Sequence, residues 1–140
     1  MAAIMLVLVG AVVTLAVLFS SAAIFKGQTK NQFTNVMSSN VSYAINEVDR
    51  LESSTNSMTQ QKLGVIRQYV YTMETVNNMS VQLYGESGRF APAEAFTALY
   101  SDISSYETLS QGAKSSTLDV RTMLQEHLRS LQGYIEGKLE

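Results

Sequence analysis

The chain has 140 residues, a formal net charge of -2 and only 16% charged residues, a balance that excludes an electrostatic nucleic-acid binder. It contains no cysteine, which excludes disulfides, thiolate nucleophiles, iron–sulfur clusters and cysteine-ligated zinc.

The mean hydropathy of +0.04 averages two unlike regions. Residues 1–25 (MAAIMLVLVGAVVTLAVLFSSAAIF) carry no charged side chain, and Thr14, Ser20 and Ser21 are their only polar ones. About 20 apolar residues in a helix span a bilayer core, and a lone span in lipid must be helical to satisfy its own backbone. A cleavable signal peptide would instead need a basic start and an apolar core of roughly 7–15 residues. The reading is a transmembrane or assembly-core helix over 1–25, carried by Ala3, Leu6, Gly10, Val13, Ala16, Leu18, Ala22 and Phe25. Its small residues, among them Ala2, Gly10, Ala11, Ser20, Ser21 and Ala23, let helix backbones approach closely.

Lys26 and Lys30 flank this segment, and the first acid is Glu47. Cationic flanks stay cytoplasmic. If Met1 is the initiator, the expectation is a membrane anchor with a cytoplasmic C-terminal domain. If a basic leader precedes Met1 and is removed, the expectation is a processed subunit of a cell-surface filament.

The rest of the chain, 26–140, reads as one helical domain. Phe33, Met37, Val41, Ala44, Val48 and Leu51 recur at spacings of three and four, the stripe of an amphipathic helix. This stretch continues the apolar helix as a stalk, with Gly27 as a soft spot and the run Ser53–Ser57 as its end. A second helix presents Leu63, Ile66, Val70, Met73 and Val76 and extends to about Leu83. Gly85-Glu-Ser-Gly88 supplies a turn, and Pro92 suits the first turn of the next helix. That helix carries Phe96, Leu99, Ile103 and Tyr106 and closes at Gly112. Ser116 and Asp119 form a capping-box pattern ahead of Val120, Leu124, Leu128, Leu131 and Ile135, with Gly133 weakening the end. Each helix has one apolar stripe, and such stripes must pair. The expected fold is all-α: a long N-terminal apolar helix continuing into an amphipathic stalk, packed with a three- to four-helix antiparallel bundle.

The search for chemistry yields no catalytic residue, no metal site and no cofactor site. His127 is the single histidine and would need companions to act as a base or a ligand; a rim position is expected. No HExxH, Walker A or GxGxxG pattern occurs, and the Gly85–Gly88 turn lacks the strand and lysine of a phosphate loop. Glu47, Asp49 and Glu52 lie close together but are interrupted by Arg50 and read as a solvated face. Asn40-Val-Ser42 and Asn78-Met-Ser80 are glycosylation triplets, relevant only on the outside of a cell that glycosylates.

Two family likenesses attach to these patterns. The segment Gln60-Gln-Lys-Leu-Gly-Val-Ile66, followed by Val70 and Thr72, resembles the Q-R-R-x-D-L-I-P-N-L-V-x-T-V segment of the LemA family, and Tyr106-Glu-Thr-Leu109 resembles its Y-P-x-L. Here Ile66-Arg67-Gln68 stands in place of I-P-N, and Gly64 in place of the aspartate. The likeness implies a single-pass membrane protein with a cytoplasmic helical bundle that recruits a protein partner. It implies no catalytic residue. The division into 1–25 and 26–52 is similar to the apolar and amphipathic halves of the N-terminal helix of type IV pilin-like subunits. Met5 stands where bacterial mature pilins carry glutamate, and the head reads as helical. That likeness implies a filament subunit. The expectation is a non-enzymatic structural protein, self-associating through residues 1–25 into a homo-oligomer or filament, in contact with a lipid bilayer at least before assembly, and binding no nucleic acid.

Overall fold

The computed structural model describes the backbone of residues 2–51, 56–112 and 117–138, and side chains over 24–51, 58–112 and 117–138. Among the described residues the fold is all-helical: α1 (Ala2–Asp49), α2 (Asn56–Tyr84), one turn of 3-10 helix (Gly85–Gly88), α3 (Ala93–Gln111) and α4 (Leu118–Glu136). The chain divides into two compact units, Met1–Gln32 and Phe33–Glu140.

The second unit is a four-helix bundle with consecutive helices antiparallel. At one end Lys62 Nζ on α2 donates to the Arg50 carbonyl just past α1 (2.7 Å). Farther along, the Tyr43 and Tyr69 rings lie 5.8 Å apart. Arg67 pairs with Glu107 and Tyr100 with Glu74, so α2 and α3 run in opposite directions. Asp102 meets His127 across α3 and α4. Gln125 Nε2 donates to Asp49 Oδ1 (2.6 Å) and closes the ring of helices from α4 back to α1.

The core is the set of stripes that the sequence spacing marks. Met37, Val41, Ala44, Val48 and Leu51 meet Leu63, Ile66, Val70, Met73 and Val76, then Phe96, Leu99, Ile103 and Tyr106, then Leu124, Leu128, Leu131 and Ile135. Each side chain of this size contributes about 1.5–3 kcal/mol when fully buried, which is why helices of weak intrinsic propensity hold together here. Phe33 and Val120 sit at the margin, partly buried against the core.

The connections depart from expectation in detail. Pro92 is the N-cap of α3, not a residue of its first turn: its φ of -66° fits either place, but its ψ of 153° is extended. It still starts the helix, because its carbonyl accepts from the Ala95 N–H (3.1 Å). Gly112 closes α3, donating its N–H to Leu109 O (3.1 Å). The capping box falls partly outside the described residues, since Ser116 is among those not described. Thr117 occupies the N-cap of α4 with no side-chain bond. Gly133 lies in the last turn of α4, which continues to Glu136 and closes at Gly137. Gly27 lies within α1.

The turn between α2 and α3 is held by close backbone approach and side-chain hydrogen bonds. Gly85 takes φ +69°, a left-handed conformation that glycine adopts without steric cost. Gly88 lies against α2 so closely that a Cβ there would meet the Ser80 carbonyl oxygen at 2.5 Å. Phe90 and Ala91, which no helical period marks, are buried beneath the turn. Asn77, itself buried, accepts both of their N–H groups through Oδ1, at 2.8 and 3.1 Å. One side chain thus satisfies two backbone donors that would otherwise be buried without partners.

Candidate functional site

Three places on the molecule concentrate polar or aromatic groups with room to act. The first is the outer face of the α2/α3 pair. Gly64, Arg67, Gln68, Tyr71, Glu74 and Tyr100 line an open groove there of about 510 Å³. Gly64 leaves open space there, since no atom lies within 4 Å of where its Cβ would be. Tyr71 is 64% exposed on one wall. On the other wall the Tyr100 hydroxyl donates to Glu74 Oε2 (2.9 Å). Burial, aided by that hydrogen bond and the carboxylate's charge, holds the Tyr100 hydroxyl well above the ordinary phenol range. Arg67 Nη2 pairs with Glu107 Oε2 at 3.0 Å, but both side chains are well hydrated, so the pair adds little stability.

The second place is the α3/α4 edge. Asp102 is a buried carboxylate on the apolar stripe of α3, one turn from Leu99 and Tyr106. His127 Nδ1 lies 2.5 Å from its Oδ2, with the histidine side chain 40% exposed and the aspartate side chain 7%. The expected rim position of His127 is therefore where the ring sits. The companion is what sequence reading misses: Asp102 lies 25 positions away. One signal was available, since a carboxylate spaced three and four residues from Leu99 and Tyr106 falls on the buried face.

The third place is α1 ahead of the bundle. The side chains of Ala3, Leu6, Gly10, Val13, Ala16, Leu18 and Ala22 lie outside the described residues. Phe25 and Ile24 are 68% and 62% exposed, and Lys26 and Lys30 are exposed as well. Among the residues whose side chains are described, which exclude 1–23, no helix is long and apolar enough to cross a membrane.

The remaining singled-out residues are scattered. Glu47 pairs with Arg50 at 3.1 Å, while Asp49 accepts from Gln125; Glu52 lies outside the described residues. Among the described acids, Glu47 and Asp49 thus serve different partners. Asn40 Nδ2 donates to Val36 O (2.8 Å), and Ser42 Oγ donates to Ser38 O (2.9 Å), both within α1. Asn78 is exposed on α2, but the hydroxyl of its triplet, on Ser80, is buried without a hydrogen-bond partner. Beside the 3-10 turn, Arg89 Nε and Nη2 clamp both oxygens of Glu86 at 2.7 and 2.8 Å, and that hydrogen bonding draws the Glu86 carboxyl below its ordinary range. Among the described residues no group of three or more His, Cys, Asp or Glu side chains converges as a metal site.

No family model, no curated protein and no solved structure matches this chain.

Proposed function

We propose that the protein is a non-enzymatic structural subunit that self-associates through its uncharged N-terminal segment, as a pilin-like filament subunit or a membrane homo-oligomer, and presents the four-helix bundle outward from that assembly. The single observation that carries this reading is the run of residues 1–25 without one charged side chain, ahead of a domain whose stripes already pair among themselves. The buried stripes of the bundle are already filled by one another and leave such a segment no place in the core. The segment therefore finds its partners in lipid or in copies of itself. The exposure of Ile24 and Phe25 at the end of the run accords with this.

The test is a charge at the middle of the run. Placing aspartate in a helix at bilayer depth costs about 2.5–3.5 kcal/mol on insertion scales. Val12→Asp is expected to abolish both membrane retention and the cross-linked ladder of oligomers, while the circular dichroism of the bundle persists. A Val12→Asp chain that assembles like the wild type, or a wild-type chain monodisperse in detergent-free buffer, overturns the reading.

A second reading rests on Lys26 and Lys30. These flanking cations favour a cytoplasmic bundle, as in a LemA-like single-pass anchor that recruits a protein partner. Protease added to intact cells separates the two. Digestion of the bundle places it outside and supports the filament; protection places it in the cytoplasm and supports the anchor.

A further inference from the structure

We propose that the outer edge of the α1/α2 pair, free of charge and rich in methionine and tyrosine, is the face through which two copies of this chain pack their bundles side by side. The inference rests on the reading of residues 1–25 given above and deepens it by naming a second contact between the copies.

The edge starts as a sequence pattern. Met58, Val65, Thr72 and Met79 recur every seven residues along α2. Positions seven apart fall within about 20° of one line on a helix, and a seven-residue repeat is the spacing that seats one helix against another. The core of the bundle does not use this line. Met58, Met79 and Leu83 are each about half exposed, and Val65 and Thr72 are half-buried. The first helix extends the same edge. The Tyr69 ring, four residues on from Val65, lies 5.8 Å from the Tyr43 ring. Tyr43 is exposed, and so is Val36, seven residues before it.

Charge is missing from this edge. Residues 31–46 of α1 include no charged side chain. The charged residues of α2 are Lys62, Arg67 and Glu74, and each is engaged elsewhere: Lys62 with the Arg50 carbonyl, Arg67 with Glu107 and Glu74 with Tyr100. The exposed apolar residues of α4 differ, since Leu118, Met123 and Tyr134 sit among Asp119, Arg121, Glu126 and Arg129. Depletion of charge with enrichment of Met and Tyr is the composition of the centre of a protein interface.

Three arguments select a second copy as the cover. Gln61 and Gln68 flank the α2 line, and hydrocarbon would leave their amides without partners, which disfavours lipid. An uncharged face meets itself without opposing like charges. The third argument is size. From Met58 to Met79 the edge is about 32 Å long and about 20 Å across two helices, roughly 600 Å² per copy. A stable interface buries about 800 Å² per partner, so this face does not hold two free chains together. Residues 26–32 alone join the uncharged run to the bundle unit, less than about 30 Å of chain even when extended. Copies joined through 1–25 therefore present their bundles to each other at an effective concentration on the order of mM, where a small face suffices. Copies held by the same segment point the same way, and a two-fold pairing then brings each position of the edge near its own counterpart.

The absence of native cysteine makes the experiment clean. Single thiols are introduced in the full chain, in a mild detergent, as Met79→Cys on the edge and Ser104→Cys on the exposed side of α3, and treated with a short bis-maleimide. Met79→Cys is expected to form covalent dimer at least tenfold faster than Ser104→Cys. Adding Leu83→Glu, which sets like charges against each other in the paired copies, is expected to slow the Met79→Cys reaction at least tenfold. Circular dichroism should stay unchanged, because Leu83 lies outside the core. Sedimentation of the same samples reads the association through 1–25 separately. Equal rates at the two positions, or no effect of Leu83→Glu, with the oligomer intact, overturns this proposal and leaves the reading of 1–25 standing. A wild-type chain that sediments as a monomer overturns both.

Discussion

Gly88 and Gly64 sit in two regions of the same supersecondary unit and answer to opposite physics. Gly88 belongs to the turn that leads from α2 into α3. A methyl group there would strike the Ser80 carbonyl at 2.5 Å, the Ser80 hydroxyl at 2.9 Å and Tyr84 Cβ at 2.9 Å. Gly64 lies in the middle of α2, where an added Cβ meets nothing within 4 Å. The turn region is rigid by construction: a glycine for close approach, Asn77 bonded to two buried backbone donors, and Phe90 plugged beneath. The α2/α3 groove is open and lined by groups that touch solvent. One region specifies the topology of the bundle, and the other leaves a surface unfilled.

The largest test of this contrast is Phe90→Ala. Phe90 is only 4% exposed, and removing a buried aromatic side chain costs about 3–5 kcal/mol because the surroundings collapse only in part. Chemical denaturation should show the whole bundle losing stability, not local fraying, if the turn is integral to the core. A loss under 1 kcal/mol would mean that the turn is an appendage.

Next come the polar and steric parts of the same turn. Asn77→Ala leaves the Phe90 and Ala91 N–H groups buried without their acceptor, an expected loss of about 1–3 kcal/mol. Gly88→Ala meets backbone on α2 and not a flexible side-chain end, so the expected loss is of the same order, about 1–3 kcal/mol. The two share one structure, so a double variant should lose less than the sum of the single losses. Strict additivity in denaturant midpoints would separate the cap from the close approach.

Why the sequence reveals one region more fully than the other follows from how each is built. The stripes Leu63–Val76 and Leu124–Ile135 are periodic, and burial follows periodicity, so the four helices and nearly all of their core can be read from spacing. Gly85 and Gly88 announce a turn. Nothing announces that Asn77, in a polar stretch beside Asn78, would cap residues 13 and 14 positions ahead, or that Phe90 and Ala91, outside any helix, would be buried. The same holds for Asp102 and His127. Each is visible as a residue, but their meeting depends on how α3 and α4 register, which no local pattern encodes. The uncharged segment 1–25 is the reverse case. Its composition is plain in the sequence, while the side chains of residues 1–23 lie outside what the structure describes.

Gly64→Ala sharpens the comparison from the other side. A glycine in a helix interior costs roughly 1 kcal/mol relative to alanine, and here no packing requires it. The substitution is expected to raise stability by up to about 1 kcal/mol while adding a methyl group to the groove lining. Destabilisation would show that α2 needs its freedom at this point, and the contrast with Gly88 would fall.

The smallest effect belongs to the groove's Tyr100. Its folded-state hydroxyl is held above the unfolded value, mainly by burial and then by its bond to Glu74. A raised value means that the protonated form is the one the fold stabilises. This contribution is therefore fully present below the unfolded phenol value of about 10 and declines as pH rises above it toward the folded value. Denaturation followed from pH 9 upward should show wild-type stability falling through this window. Tyr100→Phe, which has no proton to lose, should fall less steeply, by an amount that reports how dry the groove wall is. Parallel slopes for the two proteins would mean that water reaches the hydroxyl freely, and that the α2/α3 face is a flat surface with no recess behind Tyr71.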